Sequence, residues 1–91
     1  MSELSREVAI TNKRGLHARA SARFVATAAQ MNGVTITVSK DGISAGGNSI
    51  LGLMMLGAAM GDTIVIHVDG DGAEAALQQL VALVEERFGE E

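Results

Sequence analysis

The stretch Asn32-Gly33-Val34-Thr35-Ile36-Thr37-Val38-Ser39-Lys40-Asp41-Gly42-Ile43-Ser44-Ala45 decides the architecture. Val34, Ile36 and Val38 alternate with Thr35, Thr37 and Ser39, the two-residue period of a strand with one buried face and one wet face. Lys40-Asp41-Gly42 has the chemistry of a tight hairpin turn, so Ile43 to Ala45 returns as a short antiparallel strand. On the other side, Asn32-Gly33 reads as a left-handed stop for a helix. A helix therefore leads directly into an antiparallel pair.

Upstream of that stop, Ala20, Phe24, Ala28 and Met31 recur every three or four residues and form one stripe of a helix running from His17 to Met31. Asn12-Lys13-Arg14-Gly15 is a polar loop before it. Val8 and Ile10, two apart, mark a first strand over Arg6 to Thr11. Downstream, Gly46-Gly47 frees the chain, Asn48 or Ser49 is placed to cap a short helix, and Gly57 is placed to stop it. Ile64, Ile66 and Val68 alternate with Thr63, Val65 and His67 in a strand from Thr63 to Asp69. After the turn Asp69-Gly70-Asp71-Gly72, the residues Ala73, Leu77, Leu80, Val84 and Phe88 fall on one stripe of a final helix. The order is strand, helix, strand, strand, helix, strand, helix. Every strand is apolar on one side and every helix along one stripe, which predicts an α+β domain with one sheet covered by helices. With 91 residues and no linker, repeat or low-complexity run, residues 1–91 read as a single domain.

Composition removes several functional classes. No cysteine is present, so there is neither a disulfide framework nor a thiolate metal site, in keeping with the cytoplasm. No window reaches the roughly 18 apolar residues of a membrane span, and Met1 to Arg6 is too polar for a signal peptide. The net charge of −4 and two aromatic residues give nucleic-acid binding little support. The glycines at 46, 47 and 52 lack the Gly-Lys-Ser/Thr ending of a nucleotide loop, and Asp69-Gly70-Asp71-Gly72 puts Ala73 where a calcium loop needs an oxygen. His67 has no second ligand at metal-binding spacing and reads as a surface residue. No cofactor or metal is expected.

His17 stands where a helix begins, after a glycine-containing loop. There the first backbone amides have no internal acceptor and the macrodipole is positive, which suits a phosphate on the imidazole. Arg19 adds a planar fork that matches phosphate oxygens. On spacing alone, a surface or capping histidine is the simpler reading. Ser49 is a helix cap by its chemistry, with phosphoacceptor as the alternative. Met54, Met55 and Met60 with Leu51 make their helix apolar over more than one buried face, which fits either core packing or a pliable docking patch.

Taken together, Gly15-Leu16-His17-Ala18-Arg19 with Phe24-Val25, and Asn48-Ser49-Ile50-Leu51-Gly52-Leu53 with Leu56-Gly57, resemble the HPr phosphocarriers of the phosphoenolpyruvate-dependent phosphotransferase system. The resemblance spans nearly the whole chain. It implies that family's open-faced β-sandwich, a four-stranded antiparallel sheet covered on one face by three helices in the order βαββαβα. It implies further that His17 Nδ1 takes phosphate from phosphorylated enzyme I and passes it to an enzyme IIA-type domain, with Arg19 supporting the phosphate. Ser49 matches the family's regulatory serine, the target in some lineages of HPr kinase/phosphorylase. Ala18, Ile50, Leu51 and Met54 match the partner-docking surface. The carrier is expected to be a monomer and not an enzyme in its own right.

Two departures accompany the resemblance. The family's proline after the arginine is Ala20 here, which leaves one more amide donor in the first helical turn. Near His17 the expected basic residues are only Arg14, Arg19 and Arg23. Ile10-Thr11-Asn12-Lys13, Asn48-Ser49 and the acidic end Phe88 to Glu91 are also similar to the nitrogen-related branch, NPr. The rival from another class is a non-catalytic regulatory module acting through Ser49 and the Met-rich helix. A hydrolytic enzyme would need a base, an acid and a pocket that the sequence does not show.

Overall fold

The computed structural model describes residues 3–90. They run β1 (Glu3–Ala9), α1 (Ala18–Ala29), β2 (Val34–Lys40), β3 (Ile43–Gly46), α2 (Ile50–Met55), β4 (Thr63–Gly70) and α3 (Ala73–Glu85), closed by a single 3₁₀ turn, Arg87–Gly89. The four strands form one sheet in the order β1-β4-β2-β3, every pair antiparallel. The three helices pack against it and each other, α3 over β1 and β4, and α2 beside β3 and α1.

Alternation places the core. Val8, Val38, Ile64, Ile66 and Val68 point inward and are buried with Phe24, Leu53, Leu77, Leu80 and Val84. Residues between them on β2 and β4, such as Thr37, Ser39 and His67, occupy the open face, where Ser39 Oγ and His67 Nε2 are hydrogen-bonded at 3.1 Å. His67 is thus a half-buried sheet-surface residue, as its position in the pattern predicted. The hairpin turns through Asp41 and Gly42, both at positive φ (52° and 84°), the two left-handed residues that a type I′ turn requires. Lys40 and Ile43 close it as the terminal pair.

Two expectations need correction. The first strand covers Glu3–Ala9 and not Arg6 to Thr11. It is an edge strand whose residues are exposed apart from Val8, so alternation is weak there, and Ile10 is buried beyond the ladder, where it is bonded through its backbone to Asp62 and Gly61. The last helix ends at Glu85, and Phe88 is not on its stripe. Arg87 and Phe88 both take positive φ, which no α-helix permits, and Phe88 reaches the core by a reversal of the chain.

Candidate functional site

His17 is the N-cap of α1, in extended backbone conformation, and its carbonyl accepts the amide of Ser21. Its side chain makes no capping bond to its own helix. The amides of Ala18, Arg19 and Ala20, in the first turn, therefore have no acceptor within the helix. Ala20, at the family's proline position, keeps its N–H in this set while its methyl is fully buried.

The loop before the helix is held from below. Leu16 donates its amide to the Ala58 carbonyl at 2.9 Å, and the Ser21 hydroxyl donates to Leu16 O. Gly15, at φ +65°, lies so close to Ala58 that a Cβ would sit 2.3 Å from its carbonyl oxygen. Only glycine fits there. This clamp sets the loop after α2 against the loop that carries the histidine.

Two residues in contact with the His17 site escaped the sequence reading. Glu90 Oε2 lies 2.6 Å from His17 Nε2, across 73 positions of sequence. Asn12, almost wholly buried, donates through Nδ2 to Glu90 Oε1 at 3.1 Å and to Gly15 O at 2.9 Å. Partial withdrawal from water works to raise the Glu90 carboxyl. The hydrogen bonds with His17 and Asn12 and the neighbouring Arg19 guanidinium outweigh it, so the group is held below the usual carboxylate value. The only advance sign of Glu90 was the acidic end of the chain, which carries no information about what it touches.

Beside this cluster, Lys13, Arg14, Arg19 and Arg23 line an open cleft of about 370 Å3 with Gly89 and Glu90. Four of the chain's seven Lys and Arg residues thus surround one cleft in a protein of net charge −4. Lys13 joins the three arginines that the sequence reading placed near His17. Such clustering attracts a dianionic phosphoryl group to one place. Among the described residues, no group of His, Asp and Glu side chains could hold a metal ion, and no helix is long and apolar enough to cross a membrane.

On the neighbouring helix, Ser49 is the N-cap of α2 and its Oγ accepts the Gly52 amide at 2.9 Å. Ile50, Leu51 and Met54 are exposed, as is Ala18 on α1, and α1 and α2 are in contact. Met55 and Met60 are more exposed than Met54, at 72% and 59% against 40%, while Leu53 alone of the helix is fully buried. The apolar residues divide, one row serving the core and the larger set facing water.

Comparison with known proteins agrees with this geometry. The family model described as "PTS HPr component phosphorylation site" matches residues 4–86. The chain belongs to the HPr family. It is 41% identical to the phosphocarrier protein HPr of Xylella fastidiosa over 97% of its length and 98% of that protein's. It is also 41% identical to the phosphocarrier protein NPr of Shewanella violacea, over 99% and 98% of the two chains. The crystal structure of an HPr from Thermoanaerobacter tengcongensis superposes with a TM-score of 0.87 at 42% identity, covering all of this chain and 99% of that one. That of Bacillus anthracis HPr does so at 0.86 and 36% identity, covering 92% of this chain and 99% of that one. The open-faced antiparallel sandwich is the HPr fold, and members of this family are phosphocarriers of the phosphotransferase system, not catalysts with turnover of their own.

Proposed function

We propose that His17 is the phosphoryl acceptor, charged by phosphorylated enzyme I and discharged to an enzyme IIA-type domain, and that the protein works as a monomeric carrier in the cytoplasm. The observation that carries this reading is the ring's position, at a helix start with unpaired amides and beside a cleft lined by four cations. Neutral imidazole supplies the lone pair. The amides of Ala18 and Arg19, with the Arg19 guanidinium, stabilise charge on the transferred group. Little covalent chemistry is asked of the protein, since phosphoryl transfer is governed by positioning and charge stabilisation. Docking falls to Ala18, Ile50, Leu51 and Met54, and phosphorylation of Ser49 by an HPr kinase/phosphorylase would regulate it.

Relatives named HPr and NPr match equally well, so the carrier serves sugar uptake or nitrogen-related regulation. The test is incubation with phosphoenolpyruvate and enzyme I, followed by intact mass and acid treatment. Wild type gains one acid-labile phosphoryl group and His17→Ala, still folded, gains none. Undiminished labelling of His17→Ala would return the protein to the class of non-catalytic modules acting through Ser49.

A further inference from the structure

From Gly42 to Gly61 the chain carries no charged residue, and three of its five methionines, Met54, Met55 and Met60, stand near the end of that run. Met55 is the most exposed of the three, Met60 follows and Met54 is third, whereas Met31 is half-buried against the core. These are not side chains on a loose surface. Leu53 is fully buried and ties α2 to the core. Beyond the helix, Ala58 O accepts the amide of Leu16, the residue before His17, at 2.9 Å, and Gly61 donates its amide to Ile10 O at 2.8 Å. Asp62 Oδ2 accepts the amide of Ala59 at 2.9 Å and closes the turn between them. Met55 and Met60 therefore flank, in sequence, the point at which this segment is clamped to the histidine loop.

Two properties of the thioether meet on this face. It is apolar and pliable, which suits contact with a partner, and it is the one group here that a two-electron oxidant converts into a polar one. Ile50 and Leu51, exposed on the same helix, are inert to such an oxidant. The chain has no cysteine, so a peroxide meets no thiol ahead of these sulfurs.

We propose that Met54, Met55 and Met60 form a reversible oxidation site, at which a peroxide turns the docking face polar and releases the carrier from enzyme I. This rests on the carrier reading above and adds a control to it. In the step, a sulfur lone pair takes one oxygen of hydrogen peroxide. The S–O bond forms as the O–O bond breaks, sulfur loses two electrons, and the second oxygen leaves as water once the transferred hydroxyl gives up its proton. A dithiol reductant reverses it, two thiols becoming a disulfide while the sulfoxide oxygen departs as water. The sulfoxide oxygen accepts hydrogen bonds from solvent, and docking strips them away in a stretch that has no charged side chain to replace them. The fold is spared, because the oxidised side chains lie outside the core.

The experiment compares wild type with the triple variant Met54→Leu, Met55→Leu, Met60→Leu, which keeps Met1 and Met31. Each is treated with hydrogen peroxide, cleared with catalase, mapped for sulfoxide by peptide mass, melted, and titrated against enzyme I, with phosphate uptake timed alongside. Wild type gains sulfoxide at Met55 and Met60 ahead of Met54 and last at Met31, melts as before, and loses affinity for enzyme I by about tenfold or more, as when an unpaired polar atom is buried. Methionine sulfoxide reductase with a dithiol restores it, and the triple variant binds equally before and after peroxide. Unaltered affinity of wild type carrying the three sulfoxides overturns the inference, and so does an equal loss in the triple variant, in both cases leaving the carrier reading intact. Failure of untreated wild type to take phosphate overturns both.

Discussion

Arg23 Nη1 donates to the carbonyl of Phe88 at 2.8 Å, joining the middle of α1 to the turn that follows α3. Arg23 also lines the basic cleft, so one guanidinium serves both the tail and the field around His17. Arg23→Ala should destabilise the domain by about 1 kcal/mol, the scale of one charge-assisted hydrogen bond at a partly wet site. It should also raise amide exchange in residues 87–90. Urea unfolding and hydrogen exchange check this, and unaltered exchange in the tail would show that Phe88 burial alone secures it.

Arg19 lies exposed at the start of α1 beside the Glu90 carboxylate, and supports nothing in the core. Its replacement by Ala should leave stability within about 0.5 kcal/mol, as for other surface changes. Transfer should slow in both directions by about tenfold or more, as when one donor to a developing anion is removed. Rapid-quench kinetics against enzyme I and an enzyme IIA-type acceptor measure it. Equal rates for variant and wild type would remove Arg19 from the phosphate site.

Leu51 is 66% exposed. Leu51→Glu therefore sacrifices little core contact, but it puts a charge where a partner must exclude water. Affinity for enzyme I should fall by about tenfold or more while the melting temperature barely moves. Calorimetric titration reporting wild-type affinity would return Leu51 to incidental exposure.

Ser49 holds the Gly52 amide, so Ser49→Ala should cost about 1 kcal/mol as a lost cap, whereas Ser49→Asp keeps an acceptor there and should melt at or above wild type. The two variants should separate in function. The aspartate adds a charge amid Ile50, Leu51 and Met54 that must be desolvated on docking, and uptake of phosphate should slow. Full-speed transfer by Ser49→Asp would leave the residue as a cap only.

The depressed carboxyl of Glu90 sets a pH dependence with a definite sign. A group whose folded value lies below its unfolded one stabilises the fold above the unfolded value, and that contribution is lost as pH falls through the folded value. The stability gap between wild type and Glu90→Gln should thus be present near neutral pH and shrink in acid below the ordinary carboxylate range. Urea titrations across that range would read it, and a gap that widened in acid would contradict the assigned contacts.

What the sequence revealed was what is local. The period-two runs of β2 and β4, the Asp41-Gly42 turn and the stripe of α1 each depend on residues a few positions apart and are found there, except that α1 ends at Ala29 and leaves Met31, the last residue of its expected stripe, beyond the helix. The places of His17 and Ser49 at helix starts were legible in the local pattern, whereas their selection with Arg19 as site candidates came from the family resemblance. Phe88 is buried but not helical: a spacing of four after Val84 satisfies a helical stripe whether or not the backbone continues, and Gly89 is the sign of a stop. Asn12 and Glu90 could not be paired by any periodicity. Their meeting depends on three consecutive left-handed residues, and nothing local distinguishes Glu90 from its acidic neighbours.

The sheet order leaves β1 and β3 as its two borders. An unpaired border is a template on which a second chain can crystallise into a ribbon, and proteins blunt it with charge or brevity. Here β3 is four residues long, and β1 carries Glu3, Arg6 and Glu7 in exposed positions. With both borders blunted in this way, the sheet offers no long uncharged ladder for a second copy to extend.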